Sequence, residues 1–397
     1  MTQSLTPDKK RIQSIDLLRG IIMIIMALDH TRDFFHKGGL MGDPLNPDTT
    51  NLALYGTRWI THFCAPTFVF LSGLSAWLQS KHKTKKELSL FLVTRGIWLI
   101  IVDLLIMSFA FTADIHYSLF VLETLWSIGA GMVILGLMIY LPFSIILATG
   151  LLIVLGHNLI DLAEKTRQTP VPLWWNLLHQ PGFKPLGGGH NLFILYPFLS
   201  WAGLMVLGYC CGKLFTDMEA AKRNKILLWT GVSAIFLFFV LRFINIYGNT
   251  APWHKQETGL KTFFAFMNVE KYPPSLLFLC ATIGPMLIVL SLIKNTQGWF
   301  AKFAIVIGRV PLFYFVVHFY IIHLAQVITY FIRGHNVAEG LQGIKEVPFK
   351  FVAPGEGFSL GITYLIWIAV VLLMYPLCKW YDNYKTAHKE KKWLSYL

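Results

Sequence analysis

Residues 11–36, RIQSIDLLRGIIMIIMALDHTRDFFH, decide the class of fold. The apolar run from Ile21 to Leu28 is typical of a membrane-spanning helix, because a hydrocarbon core about 30 Å thick requires roughly 20 mostly apolar residues. Ionisable side chains follow before such a helix would leave the bilayer: Asp29, His30, Arg32, Asp33 and His36. Charges at that depth cost at least about 2.5–3.5 kcal/mol each, so several together favour a functional site within the membrane.

The composition places the whole chain in a membrane. Of its 397 residues, 55% are hydrophobic and 14% are charged, and the mean hydropathy is +0.56. These values exclude a soluble enzyme. The five cysteines have no metal-ligand spacing, and we interpret them as small hydrophobic residues. The first apolar run is interrupted early by Asp16 and Arg19, which predicts a retained span and no cleaved signal peptide.

Ten segments are long and apolar enough to span a bilayer. They predict an all-α, polytopic helix bundle that forms a single domain over residues 1–397. The segments are 15–35, 55–79, 90–112, 119–140, 143–162, 193–214, 226–247, 274–294, 303–332 and 360–381. The ninth is long, which predicts either a bend at Pro311 or a helix that runs past the membrane. No internal repeat is recognisable, which argues against the inverted-repeat transporters.

The placement of lysine and arginine predicts the orientation. With the amino terminus inside, the cytoplasmic segments hold about 18 basic residues and the other side about 10. The cytoplasmic set includes the KHKTKK run at 81–86, Lys9, Lys10, Arg11, Lys213, Lys222, Arg223, Lys225, Lys294, Lys302, Lys379, Lys385, Lys389, Lys391 and Lys392. We therefore expect both termini in the cytoplasm. The net charge of +13 then reflects topology and attraction to anionic lipid, with no nucleic-acid partner.

Ionisable residues of at least four predicted spans lie in the same leaflet. At 1.5 Å per residue, His30 lies roughly 22 Å along the first helix from Ile15, in the outer third of the bilayer. The i, i+3, i+4, i+7 spacing of Asp29, Arg32, Asp33 and His36 places them on one helix face. Other spans contribute Arg58, His62, Glu123, His318 and His323. Any one of these also fits a structural role, as a headgroup contact, an ion pair between helices or a core histidine. The set favours a hydrated site.

A second basic group lies at the inner face. Arg19 is followed by Gly20, which permits close packing, and Arg95 and Arg309 lie at or just inside the same face. Guanidinium groups there suit a phosphate-bearing ligand, and each alone also suits a lipid phosphate.

Two stretches carry a family resemblance. SIDLLRGIIMIIMALDH (14–30) is similar to the opening span of the heparan-alpha-glucosaminide N-acetyltransferase-like family, and RWITHFCAPTFVFLSGLSAWL (58–78) is similar to its second span. Later stretches such as GRVPLFYFVVHFYIIHLA (308–325) are also similar, so the resemblance covers nearly all of the chain. The Asp-x-x-Arg-Gly pattern also resembles the wider membrane acyltransferases, including the acyltransferase-3 group.

The resemblance implies a transmembrane acyltransferase. Acyl-CoA would be offered from the cytoplasm, and its acyl group, expected to be acetyl, would pass to a hydroxyl or amine of a sugar-type acceptor on the outer side. His30 is then the predicted base, with Asp33 or Asp29 orienting its ring. Arg58 or His62 would stabilise charge in the transition state or pair with a carboxylate. The residues predicted to bind the donor are Arg19, Gly20, Arg95 and Arg309. The residues predicted to contact or support the substrate are Arg32, Glu123, His318 and His323. No metal is expected.

The family resemblance does not decide which histidine is the catalytic base. The animal enzymes of this family place an essential histidine in the loop after the first span and an Asn where His30 falls here. His36 is the nearest substitute at a different spacing, so His30, His36 or both are candidates. An acyl-histidine intermediate also fits the residues. The expected location is the bacterial cytoplasmic membrane, and a homodimer is left open.

Two other functions fit the same residues. A proton-coupled solute transporter would use the Asp, His and Arg side chains as a relay, but should show broken helices and repeat symmetry. A metal or haem site from His30, His62, His318 and His323 is the third hypothesis.

Overall fold

The computed structural model describes residues 12–39, 42–166, 169–342, 349–353, 355–391 and 393–394. Four of the basic residues that support the predicted orientation, Lys9, Lys10, Arg11 and Lys392, lie outside the described residues. The described chain is mostly helical. Its α-helices are α1 (Gln13–Phe35), α2 (Leu52–Thr61), α3 (Cys64–Ser80), α4 (Lys85–Ile101), α5 (Ser108–Thr112), α6 (Thr124–Met138), α7 (Phe143–Gly156), α8 (Ile160–Lys165), α9 (Leu173–Leu178), α10 (Phe198–Asp217), α11 (Ala220–Ile244), α12 (Gly259–Met267), α13 (Leu276–Leu292), α14 (Trp299–Gly308), α15 (Pro311–Ile332), α16 (Val337–Gln342) and α17 (Leu360–Ala387).

Within the described residues, seven helical stretches are long and apolar enough to cross a membrane. They are Leu52–Ser80, Lys85–Thr112, Phe143–Lys165, Phe198–Asp217, Ala220–Ile244, Pro311–Ile332 and Leu360–Ala387. Three shorter apolar helices accompany them, α6, α13 and α14. Each of the ten predicted segments contains one of these helices or α1, which is 23 residues long but carries charge.

A small sheet corrects the all-α prediction. Strands β1 (Leu119–Leu122), β2 (Gly182–Gly187) and β3 (His190–Ile194) pair in the order β1-β3-β2, with β1 parallel and β2 antiparallel to β3. The fourth and sixth predicted spans, 119–140 and 193–214, are therefore wrong at their starts. A short apolar run fits a strand as well as a helix, and α6 and α10 begin only after these strands end.

The ninth predicted segment is two helices. The chain leaves helical geometry between Gly308 and Pro311, so the bend predicted at Pro311 is a complete break. Proline suits the first turn of α15 because it has no backbone N–H to pair there. The break places Arg309 at the carboxyl end of α14.

Helix α1 lies inside the bundle. It packs against α3, α14, α15 and α17, and glycine allows its closest approach. A Cβ at Gly20 would lie 1.8 Å from the carbonyl oxygen of Ala304, and one at Gly308 would lie 2.0 Å from that of Asp16. Small residues at such contacts are typical of membrane helix packing. The charged end of α1 therefore faces protein.

Candidate active site

A cavity of about 740 Å³ lies at the carboxyl end of α1. We call it the histidine cavity. Its ionisable lining residues include Asp29, His30, Arg32, Asp33, Arg58, His62, Glu123, Glu270 and Lys271. Seven of these nine are predicted site residues, contributed by α1, α2 and the residue before α6. The structure thus brings together most of the residues that the sequence singled out on the first, second and fourth predicted spans.

The carboxylate of Asp29 is the centre of an ion-pair ladder. Arg58 donates to it over 2.6 Å and the Thr61 hydroxyl over 3.0 Å, and Arg32 forms an ion pair with it over 3.0 Å. Arg32 also pairs with Asp33. Charge-assisted hydrogen bonds of this kind fix side-chain positions strongly. Asp29 and Asp33 are therefore engaged with arginine.

The ring of His30 has a different partner from the one predicted. Its Nδ1 lies 2.8 Å from Nε2 of His318, and the planes of the two rings differ by 15°, with ring centroids 5.0 Å apart. Phe319 packs against the same ring. The prediction that Asp33 or Asp29 orients His30 does not match these contacts, because spacing within one helix does not show what a distant helix supplies.

Two residues that line the histidine cavity have buried nitrogens without a hydrogen-bond partner among the described residues. They are both ring nitrogens of His62 and Nε and Nη1 of Arg32. Leaving a buried donor unpaired costs about 1–3 kcal/mol. Such groups suit the oxygen atoms of a polar ligand.

Sequence reasoning missed the loop that closes this cavity, residues 268–272. Lys271 is buried, with Nζ 5.0 Å from the ring centre of Tyr272 and 5.9 Å from that of Tyr196. Burial raises the pKa of neighbouring Glu270. Glu270 and Lys271 stand just outside the predicted span 274–294, so they lacked the signal that identified Asp29, a charge inside a predicted span.

The other two candidate histidines lie apart. His36 ends α1 and lines a neighbouring cavity of about 330 Å³ that shares Arg32 with the histidine cavity. Its Nδ1 accepts from the backbone N–H of Gly38 over 3.1 Å, and burial, with the charges of Arg32 and Lys37, lowers its pKa. The ring of His323 is held by backbone carbonyls. Of His30 and His36, it is His30 that lines the larger cavity.

A second large cavity, of about 790 Å³, lies at the amino end of α1. We call it the arginine cavity. Its cationic lining residues are Arg19, Lys81, Lys83, Arg95, Arg309 and Lys385, and Asp16 is the carboxylate among the described lining residues. Arg19 donates to Asp16 over 3.0 Å and to the Ser75 hydroxyl over 3.0 Å. Three of the four predicted donor-binding residues are thus brought together.

Gly20, the fourth predicted donor-binding residue, does not line the arginine cavity. It packs against the backbone of Ala304 on α14. A glycine in a helix permits close approach to a ligand or to another helix, and here the neighbour is a helix.

A narrow space of about 90 Å³ lies between the two large cavities. We call it the apolar passage. It shares Arg19, Ser72, Arg95, Met132 and Pro311 with the arginine cavity and Thr124 with the histidine cavity. Its other lining residues are all apolar: Met23, Phe68, Leu99, Leu125, Ile128, Leu312 and Phe315. Phe315 also contacts the ring of His30. Arg19 and His30 are eleven residues apart on α1, or about 16 Å at 1.5 Å per residue.

The four histidines of the metal or haem hypothesis do not converge. His318 bonds to His30 and to the Tyr314 carbonyl, and His323 bonds to carbonyls. Within the described ranges, the group with metal-ligand spacing is Asp161, Glu164 and His179, and it lines neither large cavity.

The apolar helices form a bundle around two polar cavities. One cavity is cationic, and the other has imidazole and carboxylate groups. This architecture is that of a multi-pass membrane protein with an internal site. The family model described as heparan-alpha-glucosaminide N-acetyltransferase, catalytic, matches residues 11–243, which is more than half of the chain. The chain belongs to this family of membrane acetyltransferases, and the predicted resemblance is confirmed. No curated protein gives a significant match.

Proposed function

We propose that the protein transfers an acetyl group from acetyl-CoA, bound in the arginine cavity, to a hydroxyl or amine of a sugar-type acceptor in the histidine cavity. The observation that carries this proposal is the apolar passage, which shares five lining residues with the arginine cavity and one, Thr124, with the histidine cavity. Family membership supports the same reaction class.

The arginine cavity suits the phosphate groups of CoA. Guanidinium groups bind phosphate in a bidentate manner, and a cleft of one charge sign concentrates anionic ligands. The pantetheine arm of CoA is slender and uncharged, so it suits the apolar passage. Bound in this way, the thioester would lie toward His30.

The reaction requires a base and a group that stabilises negative charge. As the acceptor oxygen or nitrogen bonds to the thioester carbonyl carbon, its proton passes to His30. The tetrahedral intermediate then collapses, the carbon–sulfur bond breaks, and His30 gives the proton to the leaving CoA thiolate. We assign the stabilisation of the oxyanion to His62 and Arg32, because both residues line the cavity and keep nitrogens without a hydrogen-bond partner among the described residues. Direct transfer needs no acyl-histidine intermediate.

The proposal includes a topology of ten spans with both termini in the cytoplasm. The arginine cavity would then open inward, because it is lined by Lys81 and Lys83 of the basic 81–86 run and by Lys385 near the carboxyl end. Lysine and arginine are enriched on the cytoplasmic side of membrane proteins. The histidine cavity would open to the outer side.

The rival hypothesis is a proton-coupled transporter. Helical geometry is interrupted between α2 and α3 and between α14 and α15. Broken helices of this kind are also found in transporters. Binding of CoA distinguishes the two functions, because a solute transporter has no use for a thioester donor.

The test uses purified full-length protein in detergent. Acetyl-CoA is expected to raise the unfolding temperature, and radiolabelled acetyl groups to appear on glucosamine. His30→Gln should still bind acetyl-CoA but lower transfer by about 10²–10⁴-fold, the usual contribution of a general base. His254→Gln, which changes an exposed histidine outside both cavities, should transfer normally.

Absence of any stabilisation by acetyl-CoA or CoA would contradict the proposal. Release of one equivalent of CoA without acceptor would instead indicate an acyl-histidine intermediate and contradict direct transfer.

A further inference from the structure

We infer that His318 is a positioning residue that fixes the tautomer of His30, so that Nε2 of His30 is unprotonated and able to take the proton of the acceptor. The inference rests on the proposed function for its catalytic consequence, but the tautomer itself is measured separately.

The hydrogen bonds of His318 define its own tautomer. Its Nδ1 lies 2.7 Å from the backbone carbonyl oxygen of Tyr314. A carbonyl oxygen only accepts hydrogen bonds, so Nδ1 of His318 carries a hydrogen. A neutral imidazole carries one N–H, which leaves a lone pair on Nε2 of His318.

The surroundings of His318 keep it neutral. Its side chain is 0% exposed, and the rings of Tyr314, Phe315 and Phe319 lie around it. No carboxylate is bonded to His318 among the described residues, and a buried charge without a partner is unfavourable. Asp29, which precedes His30 in the chain, is engaged with Arg58, Arg32 and Thr61.

The lone pair of His318 then determines the proton on His30. Two lone pairs do not face each other at the 2.8 Å that separates Nε2 of His318 from Nδ1 of His30. Nδ1 of His30 therefore carries a hydrogen and donates it to His318. The other ring nitrogen of His30, Nε2, is left as the basic atom.

This arrangement also assists the transfer of the proton. When Nε2 of His30 takes the acceptor's proton, the ring becomes a cation. The hydrogen bond from its Nδ1 to His318 then becomes charge-assisted and stronger. A backbone carbonyl on one helix thus sets, through two rings, the protonation state of a base on another helix.

Two substitutions at position 318 separate this role from simple packing. His318→Leu removes the acceptor and should lower kcat by about 10²–10³-fold, because His30 is then free to adopt the other tautomer. His318→Gln places an amide oxygen near the position of Nε2, which accepts the same hydrogen bond. It should restore kcat to within about tenfold of the wild type, since the tautomer is kept. KM for both substrates should stay unchanged, because His318 lines neither large cavity.

His157 provides the control. It is 3% exposed, and its Nδ1 lies 3.3 Å from Nε2 of another histidine, His179, but it lines neither large cavity. His157→Leu should leave kcat unchanged. Equal losses in His318→Leu and His157→Leu, or equal losses in His318→Leu and His318→Gln, would overturn the inference.

A second readout does not depend on activity. In protein labelled with ¹⁵N-histidine, and assigned by the loss of signals in His30→Gln, the wild-type His30 should show a protonated Nδ1 and an unprotonated Nε2. His318→Leu should lose that pattern. A protonated Nε2 in the neutral wild-type ring refutes the inference whatever the activity. The expected tautomer in a protein that shows no acetyl transfer would uphold the geometry and refute the proposed function.

Discussion

Gly20→Ala is expected to force α1 and α14 apart. A Cβ at position 20 would lie 1.8 Å from the carbonyl oxygen of Ala304, whereas ordinary contact begins at 3.4 Å, so the backbones must separate by 1.6 Å (3.4 − 1.8). The contacted atom belongs to the backbone, and no change of rotamer relieves the clash. Overpacking costs about 1–3 kcal/mol, against about 0.5–1 kcal/mol gained by replacing a helical glycine with alanine. The net loss of unfolding free energy is about 0–2.5 kcal/mol.

Gly56→Ala is the matched control for this substitution. Gly56 lies within α2, and a Cβ there would meet no atom within 4 Å. The helix should gain about 0.5–1 kcal/mol. Thermal unfolding in one detergent, followed by tryptophan fluorescence, should therefore place Gly20→Ala below the wild type and Gly56→Ala at or above it. Equal stability of the two variants would refute the packing role assigned to Gly20.

Three further predictions concern the charged groups. Asp29→Asn should lower the unfolding free energy by about 3–5 kcal/mol, because the buried guanidinium groups of Arg58 and Arg32 lose the Asp29 carboxylate. Asp48→Asn, which breaks an exposed ion pair, should lower it far less in the same urea titration. In calorimetry, Arg95→Gln should weaken acetyl-CoA binding about tenfold, as expected for a lost charged hydrogen bond. Lys225→Gln changes a residue outside the arginine cavity and should bind acetyl-CoA as the wild type does. Burial raises the pKa of Glu270 above its ordinary 4.5, so the folded state keeps a proton that the unfolded chain releases. The free energy of unfolding should therefore fall as the pH rises from 4.5 through the raised pKa. Glu270→Gln should flatten that part of the pH–stability curve.

The charged end of α1 could be predicted from the sequence because the cost of burying charge in a membrane is a local property. A depth of 1.5 Å per residue was enough to place Arg58 and His62 of the second span beside Asp29 and His30. The arginine cavity followed from the same reasoning, since Arg19, Arg95 and Arg309 share one face of the membrane. The structure brings both groups together.

The contact between His30 and His318 could not be predicted, because the two residues are 288 positions apart in the chain. Only the packing of α1 against α15 determines which of the buried histidines, His318 or His323, meets the ring. The apolar passage is likewise a property of several helices. The strand at 119–122 was missed for a different reason, since LFVL has the composition of a span and is too short for its periodicity to decide.

The sidedness of the reaction tests the central claim most directly. Protein is inserted in liposomes, and proteolysis of the 81–86 loop identifies the vesicles that hold it in one orientation. Radiolabelled acetyl-CoA is then supplied on the side of that loop and glucosamine on the opposite side. We expect labelled product in the glucosamine compartment while acetyl-CoA stays where it was added, and no product from His30→Gln. Product confined to the donor compartment, or acetyl-CoA crossing the membrane intact, would contradict a passage that carries only the acetyl group.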